Sequence, residues 1–136
     1  MTDSDVEATG AAALAVIEFP EGLPGFPEAR RFRLEPLEEG LEPFLSLRSY
    51  DLPGLEFVVV APGEIFSDYV IDIPQPDVER LSLEGADDVV VLTIVTVARP
   101  PTANLLGPLV VNRRTAQARQ VVLANSSYEV CTPLPA

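Results

Sequence analysis

The sequence contains no histidine, no lysine and no tryptophan, and a single cysteine, Cys131. Each absence removes a class of chemistry. Without His there is no Ser-His-Asp triad, no Cys-His dyad, no imidazole general base and no His-ligated metal. One Cys cannot close an intramolecular disulfide or build a thiolate zinc site. The longest apolar stretch near the N-terminus, Gly10 to Ile17, is too short to span a bilayer. It follows Asp3, Asp5 and Glu7 with no Arg before it, so it lacks the basic region of a secretory signal. Asn125-Ser126-Ser127 spells a glycosylation sequon, which has no consequence without a secretory route. The expected compartment is therefore the cytoplasm.

Positive charge is scarce too. Nine Arg are the only cations against 21 acids, for a formal net charge of −12. Phosphate backbones and anionic lipid repel such a chain, so neither nucleic acid nor membrane is an expected partner. Basic proteins and cationic ligands are. The charge is uneven: residues 1–68 hold 14 acids and 4 Arg, net −10, whereas residues 69–136 hold 7 acids and 5 Arg, net −2. The densest acids are Glu35, Glu38, Glu39 and Glu42, with Asp51, Glu56, Glu64 and Asp68 behind them. This half is either a solvated, solubilising face or a docking surface for a basic partner. On charge density, Glu35, Glu38, Glu39 and Glu42 are the candidate partner-binding residues.

What is present points to an all-β domain. The chain has 136 residues, 47% of them hydrophobic, enough for one core. Residues 1–14 are small, acidic and aperiodic and read as a disordered tail; residues 15–136 read as the single domain. The 14 prolines, about twice the usual ~5%, fall mostly between short apolar runs. Strands are expected at Ala15–Phe19, Arg31–Glu35, Phe44–Tyr50, Leu55–Ala61, Tyr69–Ile73, Val89–Val97, Leu109–Asn112, Ala118–Leu123 and Tyr128–Thr132. Arg31–Glu35 alternates, with Phe32 and Leu34 on one face. Val89–Val97 is apolar on both faces and β-branched, as a covered central strand should be. A short helix is expected from Gln75 to Leu81, with Pro76 and Asp77 suiting its N-terminus, and a single turn at Glu64–Asp68. Eight or nine short strands favour a small, closed or nearly closed antiparallel β-barrel, which removes sheet edges.

Little in the sequence carries catalytic chemistry. Glu38-Glu39 and Asp87-Asp88 are adjacent carboxylate pairs, but each sits beside Gly in a turn. No calcium-loop spacing and no Gly-rich phosphate loop is present; Gly22-Leu23-Pro24-Gly25 reads as a turn. Asn104, Asn112 and Asn125 fall at element ends, where Asn serves turns and caps. Cys131 reads as a small buried hydrophobe in a strand. No cofactor and no metal is expected, and the chain is not expected to be an enzyme. The competing reading is a ligand-binding barrel or carboxylate enzyme, for which Thr93, Thr96, Gln120 and Tyr128 are the only polar candidates in apolar surroundings.

Several blocks resemble a known family. Phe19-Pro20-Glu21-Gly22-Leu23-Pro24-Gly25-Phe26, followed by Phe32 and Leu34, is similar to the opening signature of the FliW family of flagellar assembly factors. Pro43-Phe44-Leu45-Ser46-Leu47-Arg48-Ser49 and Leu55-Glu56-Phe57-Val58-Val59-Val60 continue the match. The strongest block is Thr93-Ile94-Val95-Thr96-Val97, Asn104-Leu105-Leu106-Gly107-Pro108-Leu109-Val110-Val111-Asn112, then Gln120-Val121-Val122-Leu123 and Tyr128. The resemblance implies a non-enzymatic β-barrel of the bacterial cytoplasm that binds flagellin. When free of flagellin, it would bind the basic RNA-binding translational regulator CsrA, away from the RNA-binding face, and relieve repression of flagellin translation. A flagellin chaperone without a regulatory partner would share every one of these features. Three departures stand out: an acidic segment before Ala15 longer than expected, Cys131 where a polar or basic residue is expected, and the absence of Lys.

Overall fold

The computed structural model describes residues 15–135. The expected tail, residues 1–14, lies outside them. Nine strands follow one another: β1 (Val16–Glu18), β2 (Arg31–Pro36), β3 (Leu45–Ser49), β4 (Glu56–Val60), β5 (Val89–Thr96), β6 (Thr102–Ala103), β7 (Leu109–Asn112), β8 (Ala118–Gln120) and β9 (Thr132–Pro133). Every ladder between them is antiparallel. One helix, α1 (Gln75–Arg80), and short 3₁₀ turns at Pro62–Glu64 and Ala86–Asp88 complete the regular structure.

β1 to β4 form a meander that leads to β5. β5, the most apolar run, is paired along both edges. One edge meets β4 through Thr93–Val95, while the other meets β7 through Val89–Leu92 and β6 through Val95–Thr96. β6 and β7 are thus two stretches of one path along the same edge, split by an excursion at Leu105–Pro108. The excursion is held by its own polar groups. Asn104 Oδ1 accepts the Gly107 N–H at 2.9 Å, Gln120 Nε2 donates to the Gly107 carbonyl at 2.9 Å, and the N–H groups of Leu105 and Leu106 both reach the Glu129 carbonyl. The Asn–Leu–Leu–Gly–Pro block is therefore the turn chemistry of an interrupted strand.

Two apolar clusters lie against this sheet. The larger takes the inward positions of β1 to β5, β7 and β8, with Ile17, Phe19, Phe32, Leu47, Val59, Leu92 and Leu109 among its buried members. Phe19 and Phe32 meet edge-on with centroids 5.3 Å apart, a geometry worth about 0.5–1.5 kcal/mol beyond burial. The smaller cluster has Leu81, Val110, Val121 and Leu123 at its centre and partly buried Tyr69, Ile71, Ile73, Leu83, Val89, Leu106 and Tyr128 around it.

Three expectations are corrected. Hydrogen bonds do not close the sheet into a barrel. β1 has one ladder partner, β2, and it touches the start of β8 only through a parallel bridge of Glu18 with Gln117 and one bond from the Glu18 N–H to the Ala116 carbonyl. β1 has three residues, all in its ladder with β2, and β8 has three, all in its ladder with β7. Secondly, Tyr69–Ile73 has no regular structure and joins no ladder; at Val70 the Tyr128 hydroxyl takes a neighbour's place, accepting the Val70 N–H at 3.0 Å and donating to the Val70 carbonyl at 2.8 Å. Thirdly, Cys131 is exposed, because β9 begins only at Thr132 and the chain before it runs over the surface. Other differences are of extent. β6 was not expected, and the β8 ladder ends at Gln120, although Val121 and Leu123 still donate to the carbonyls of Pro108 and Leu106.

Candidate interaction surfaces

The acid-rich segment is built on the β2–β3 connection. The loop between Leu37 and Phe44 is tied by its main chain: Leu37 N–H reaches the Phe44 carbonyl at 3.3 Å, Leu41 N–H the Glu38 carbonyl at 3.1 Å, and Phe44 N–H the Leu41 carbonyl at 3.0 Å. Gly40 takes a φ of +89°, which a side chain disfavours, and its N–H reaches Glu42 Oε2 at 3.4 Å. The loop is thus a defined platform that holds Glu38, Glu39 and Glu42 in solvent, with the exposed Leu41 among them. No ion pair within the described residues involves these three carboxylates.

Glu35 belongs to a different arrangement. It is half-buried on the outer face of β2, between Arg33 at 3.5 Å and Arg48 at 3.8 Å. The register sets Arg33 directly opposite Arg48, and Arg48 opposite Glu56. Two like charges facing each other across a ladder repel, and Glu35 and Glu56 relieve that repulsion. The Ser46 hydroxyl donates to the Glu56 carboxylate. That bond, followed by Arg48, holds the Glu56 carboxyl below the usual range. The four acids picked out by charge density therefore divide: three face solvent without a cation and one is occupied by the protein's own Arg side chains.

The remaining candidates are structural. Asp51 accepts the N–H groups of Arg30 and Arg31, each at 2.8 Å, and these bonds hold its carboxyl low. Of the Asp87-Asp88 pair, Asp88 accepts the Glu84 N–H at 2.8 Å and then Arg114 Nε at 3.0 Å, and its carboxyl is lowered for those reasons in that order. A general acid needs the opposite shift. Thr93 is buried and donates to the Val60 carbonyl at 3.3 Å, Thr96 is exposed, Gln120 holds Gly107, and Tyr128 is bonded to Val70. These four do not converge on a common cavity. Among the described residues, no group of three or more Cys, Asp and Glu is placed to hold a metal ion.

Two polar centres join distant parts of the fold. Asn112, fully buried, donates from Nδ2 to the Leu81 carbonyl at 2.7 Å and accepts the Arg114 N–H at Oδ1 at 2.8 Å. It ties the end of α1 to the β7–β8 turn. Arg119 joins three elements: Nη1 donates to Glu21 at 2.9 Å, and Nε lies 2.7 Å from Asp77 Oδ1. That Nε–H is not directed at the oxygen, so the contact with α1 is an ion pair without a hydrogen bond. The turn role expected of Asn112 is met by its bond from the Arg114 N–H, while its tie to Leu81 and the ion pairs of Arg119 have no sequence signal.

The molecule is thus an acidic, antiparallel all-β protein whose prominent features are surfaces and turns, with no clustered catalytic groups among the described residues. Comparison with known proteins makes the assignment specific. The family model described as "FliW protein" matches residues 3–134. The chain is 42% identical over 122 residues to the flagellar assembly factor FliW of Bacillus subtilis (strain 168), an alignment covering 88% of this chain and 85% of that one. It is 43% identical over 121 residues to the protein of the same name from Bacillus licheniformis, covering 87% and 84%. A solved structure described as a crystal structure of the flagellar assembly factor FliW superposes with a TM-score of 0.82 at 36% identity, covering 90% of this chain and 87% of that one. The chain belongs to the FliW family.

Proposed function

We propose that this chain is a cytoplasmic flagellar assembly factor that acts by binding proteins through one domain, residues 15–136. It binds flagellin, and when flagellin is scarce it binds a CsrA-like basic RNA-binding regulator and lifts repression of flagellin translation. The observation that carries the reading is the β2–β3 loop. Among the described residues, Glu38, Glu39 and Glu42 have no ion-pair partner and stand in solvent on a hydrogen-bonded platform, in a chain of net charge −12. Glu35 lies behind them, already paired with Arg33 and Arg48. Such a patch steers a basic partner and raises its association rate at low salt. Occupancy then follows mass action: each partner's concentration divided by its dissociation constant decides which complex forms.

The test is a competition. Immobilised protein is offered flagellin, the CsrA-like regulator, and then both. The expected outcome is that each binds alone and that added flagellin displaces the regulator. Replacing Glu38, Glu39 and Glu42 with Lys slows association with the regulator about tenfold or more at low salt, and flattens the dependence of that rate on salt. If neither protein binds, the functional reading fails; if the triple variant associates at the unaltered rate, the surface assignment fails.

A further inference from the structure

Residues 69–84, α1 among them, lie over the smaller apolar cluster. Among the described residues, no main-chain hydrogen bond joins this stretch to a strand; every one it makes reaches a residue within five positions. Leu81 is its only buried residue, and α1 itself buries none. The packing beneath it is incomplete. A cleft of about 520 Å³ lies between Ile71, Ile73, Val78 and Leu83 on one side and Val89 on the other. A second, of about 300 Å³, lies between Tyr69, Ile71 and the start of β5. Side chains that face a gap forfeit the dispersion contacts of a filled interior. What holds the stretch is a set of polar side chains near its two ends. The Tyr69 hydroxyl donates to the Leu105 carbonyl at 2.7 Å, and Tyr128 holds Val70. At the far end Asn112 Nδ2 donates to the Leu81 carbonyl at 2.7 Å and Arg114 Nη2 to the Ser82 carbonyl at 3.0 Å. Between them, Arg119 lies against Asp77, and Glu21 lies 3.7 Å from Arg80.

We infer that residues 69–84 form a strap that opens as a unit while the sheet stays folded. Lifting it breaks side-chain bonds and withdraws Leu81, but it leaves every ladder of the sheet in register. Segments with few buried apolar contacts open at a lower free energy than the core. The released strap does not keep its helix, because α1 has six residues and isolated helices below about 12–15 are marginal at best. The strap therefore has two states, docked and ordered or released and unfolded. Release uncovers Val110, Val121 and Leu123, which are buried in the docked state. The fold thus carries an apolar face that is concealed by a piece of its own chain and fastened by polar groups at both ends. A ligand that contacts the two states unequally shifts the balance between them. The strap is separate from the β2–β3 loop and does not depend on the function assigned to that loop.

The experiment is native-state hydrogen exchange of isotope-labelled full-length protein in rising, sub-denaturing urea. The bonded amides of the strap, those of Val70, Val78, Leu81 and Leu83, are expected to share one opening reaction. They should exchange about a hundredfold or more faster than the amides of β5. Urea should speed their exchange with a slope smaller than that of β5, since less surface is exposed. The amides of Val121 and Leu123, which bond to the carbonyls of Pro108 and Leu106, should exchange with β5 and not with the strap. Tyr128→Phe removes both bonds to Val70 and keeps the ring. It should speed exchange about tenfold at Val70 and by the same factor at Leu81 and Leu83, at the other end of the strap. Strap amides that exchange at the β5 rate would overturn the inference, because the strap would then leave only with the whole fold. Rates that ignore urea, or a Tyr128→Phe effect confined to Val70, would overturn it as well, because each amide would then be fraying alone. The urea series uses the unaltered chain, so it decides the matter even if Tyr128→Phe fails to fold.

Discussion

Replacing Asn112 with Ala isolates one buried polar junction. Asn112 is fully buried, and its two shortest bonds reach the Leu81 carbonyl at 2.7 Å and the Arg114 N–H at 2.8 Å. Longer contacts at 3.4 Å reach the Ser82 carbonyl and the Thr115 N–H. Truncation leaves one carbonyl and one N–H without partners, at about 1–3 kcal/mol each, so the expected loss is about 2–6 kcal/mol. Native stabilities of about 5–15 kcal/mol make that a large fraction of the whole. With a urea slope of about 1–2 kcal/mol per molar, the unfolding midpoint falls by at least about 1 M. The other asparagines provide the scale. Asn104→Ala removes one half-buried bond to Gly107 and costs about 1 kcal/mol. Asn125→Ala is exposed and changes stability by less than about 0.5 kcal/mol. Asn112→Asp keeps the acceptor side but sets a carboxylate oxygen against the Leu81 carbonyl, so at neutral pH it also destabilises. If Asn112→Ala unfolds at the same urea concentration as Asn125→Ala, the reasoning is refuted.

Three other outcomes follow from local chemistry. The carboxyls of Asp51, Asp88 and Glu56 are lowered from ordinary values of 3.8, 3.8 and 4.5, so the stability they contribute is complete above those values and is lost as pH falls through the lower folded ones. Urea unfolding should weaken progressively below about pH 4.5, and Asp51→Asn should flatten that acid limb; an unchanged limb would contradict the assignment. Gly22→Ala should destabilise more than Gly25→Ala, as measured by thermal unfolding. Both glycines have positive φ, +72° and +86°, but a Cβ at Gly22 meets the Pro27 carbonyl oxygen at 2.5 Å and one at Gly25 meets nothing within 4 Å. Cys131, being exposed, should react stoichiometrically with an aromatic disulfide reagent in the native protein. If labelling requires denaturant, the placement is wrong.

The parts legible from sequence are those where local pattern and tertiary environment agree. β2 alternates because Phe32 and Leu34 enter the core while Arg31, Arg33 and Glu35 stay outside. β5 is apolar on both faces because its side chains enter both clusters, Val90 and Leu92 the larger and Val89 the smaller. Local pattern misleads where pairing depends on a distant side chain. Tyr69–Ile73 has strand composition, but its neighbour at Val70 is the hydroxyl of Tyr128, 58 residues on. Cys131 has strand-like flanks, yet the short β6 offers pairing to only two residues, and these are Thr132 and Pro133. The candidate surface was half legible: acid density located the loop, but only the register of β2 on β3 shows that Glu35 is held by Arg33 and Arg48.

Charges at Glu38, Glu39 and Glu42 work over roughly a Debye length, about 8 Å at physiological salt, so they raise the frequency of encounter and little else. How long an encounter lasts is set by contacts within hydrogen-bond and van der Waals distance. Salt and charge reversal in the loop should therefore change the association rate with a basic partner and leave its dissociation rate nearly unaltered; a dissociation rate that changes as much as the association rate would mean that the three carboxylates stay in contact with the bound partner.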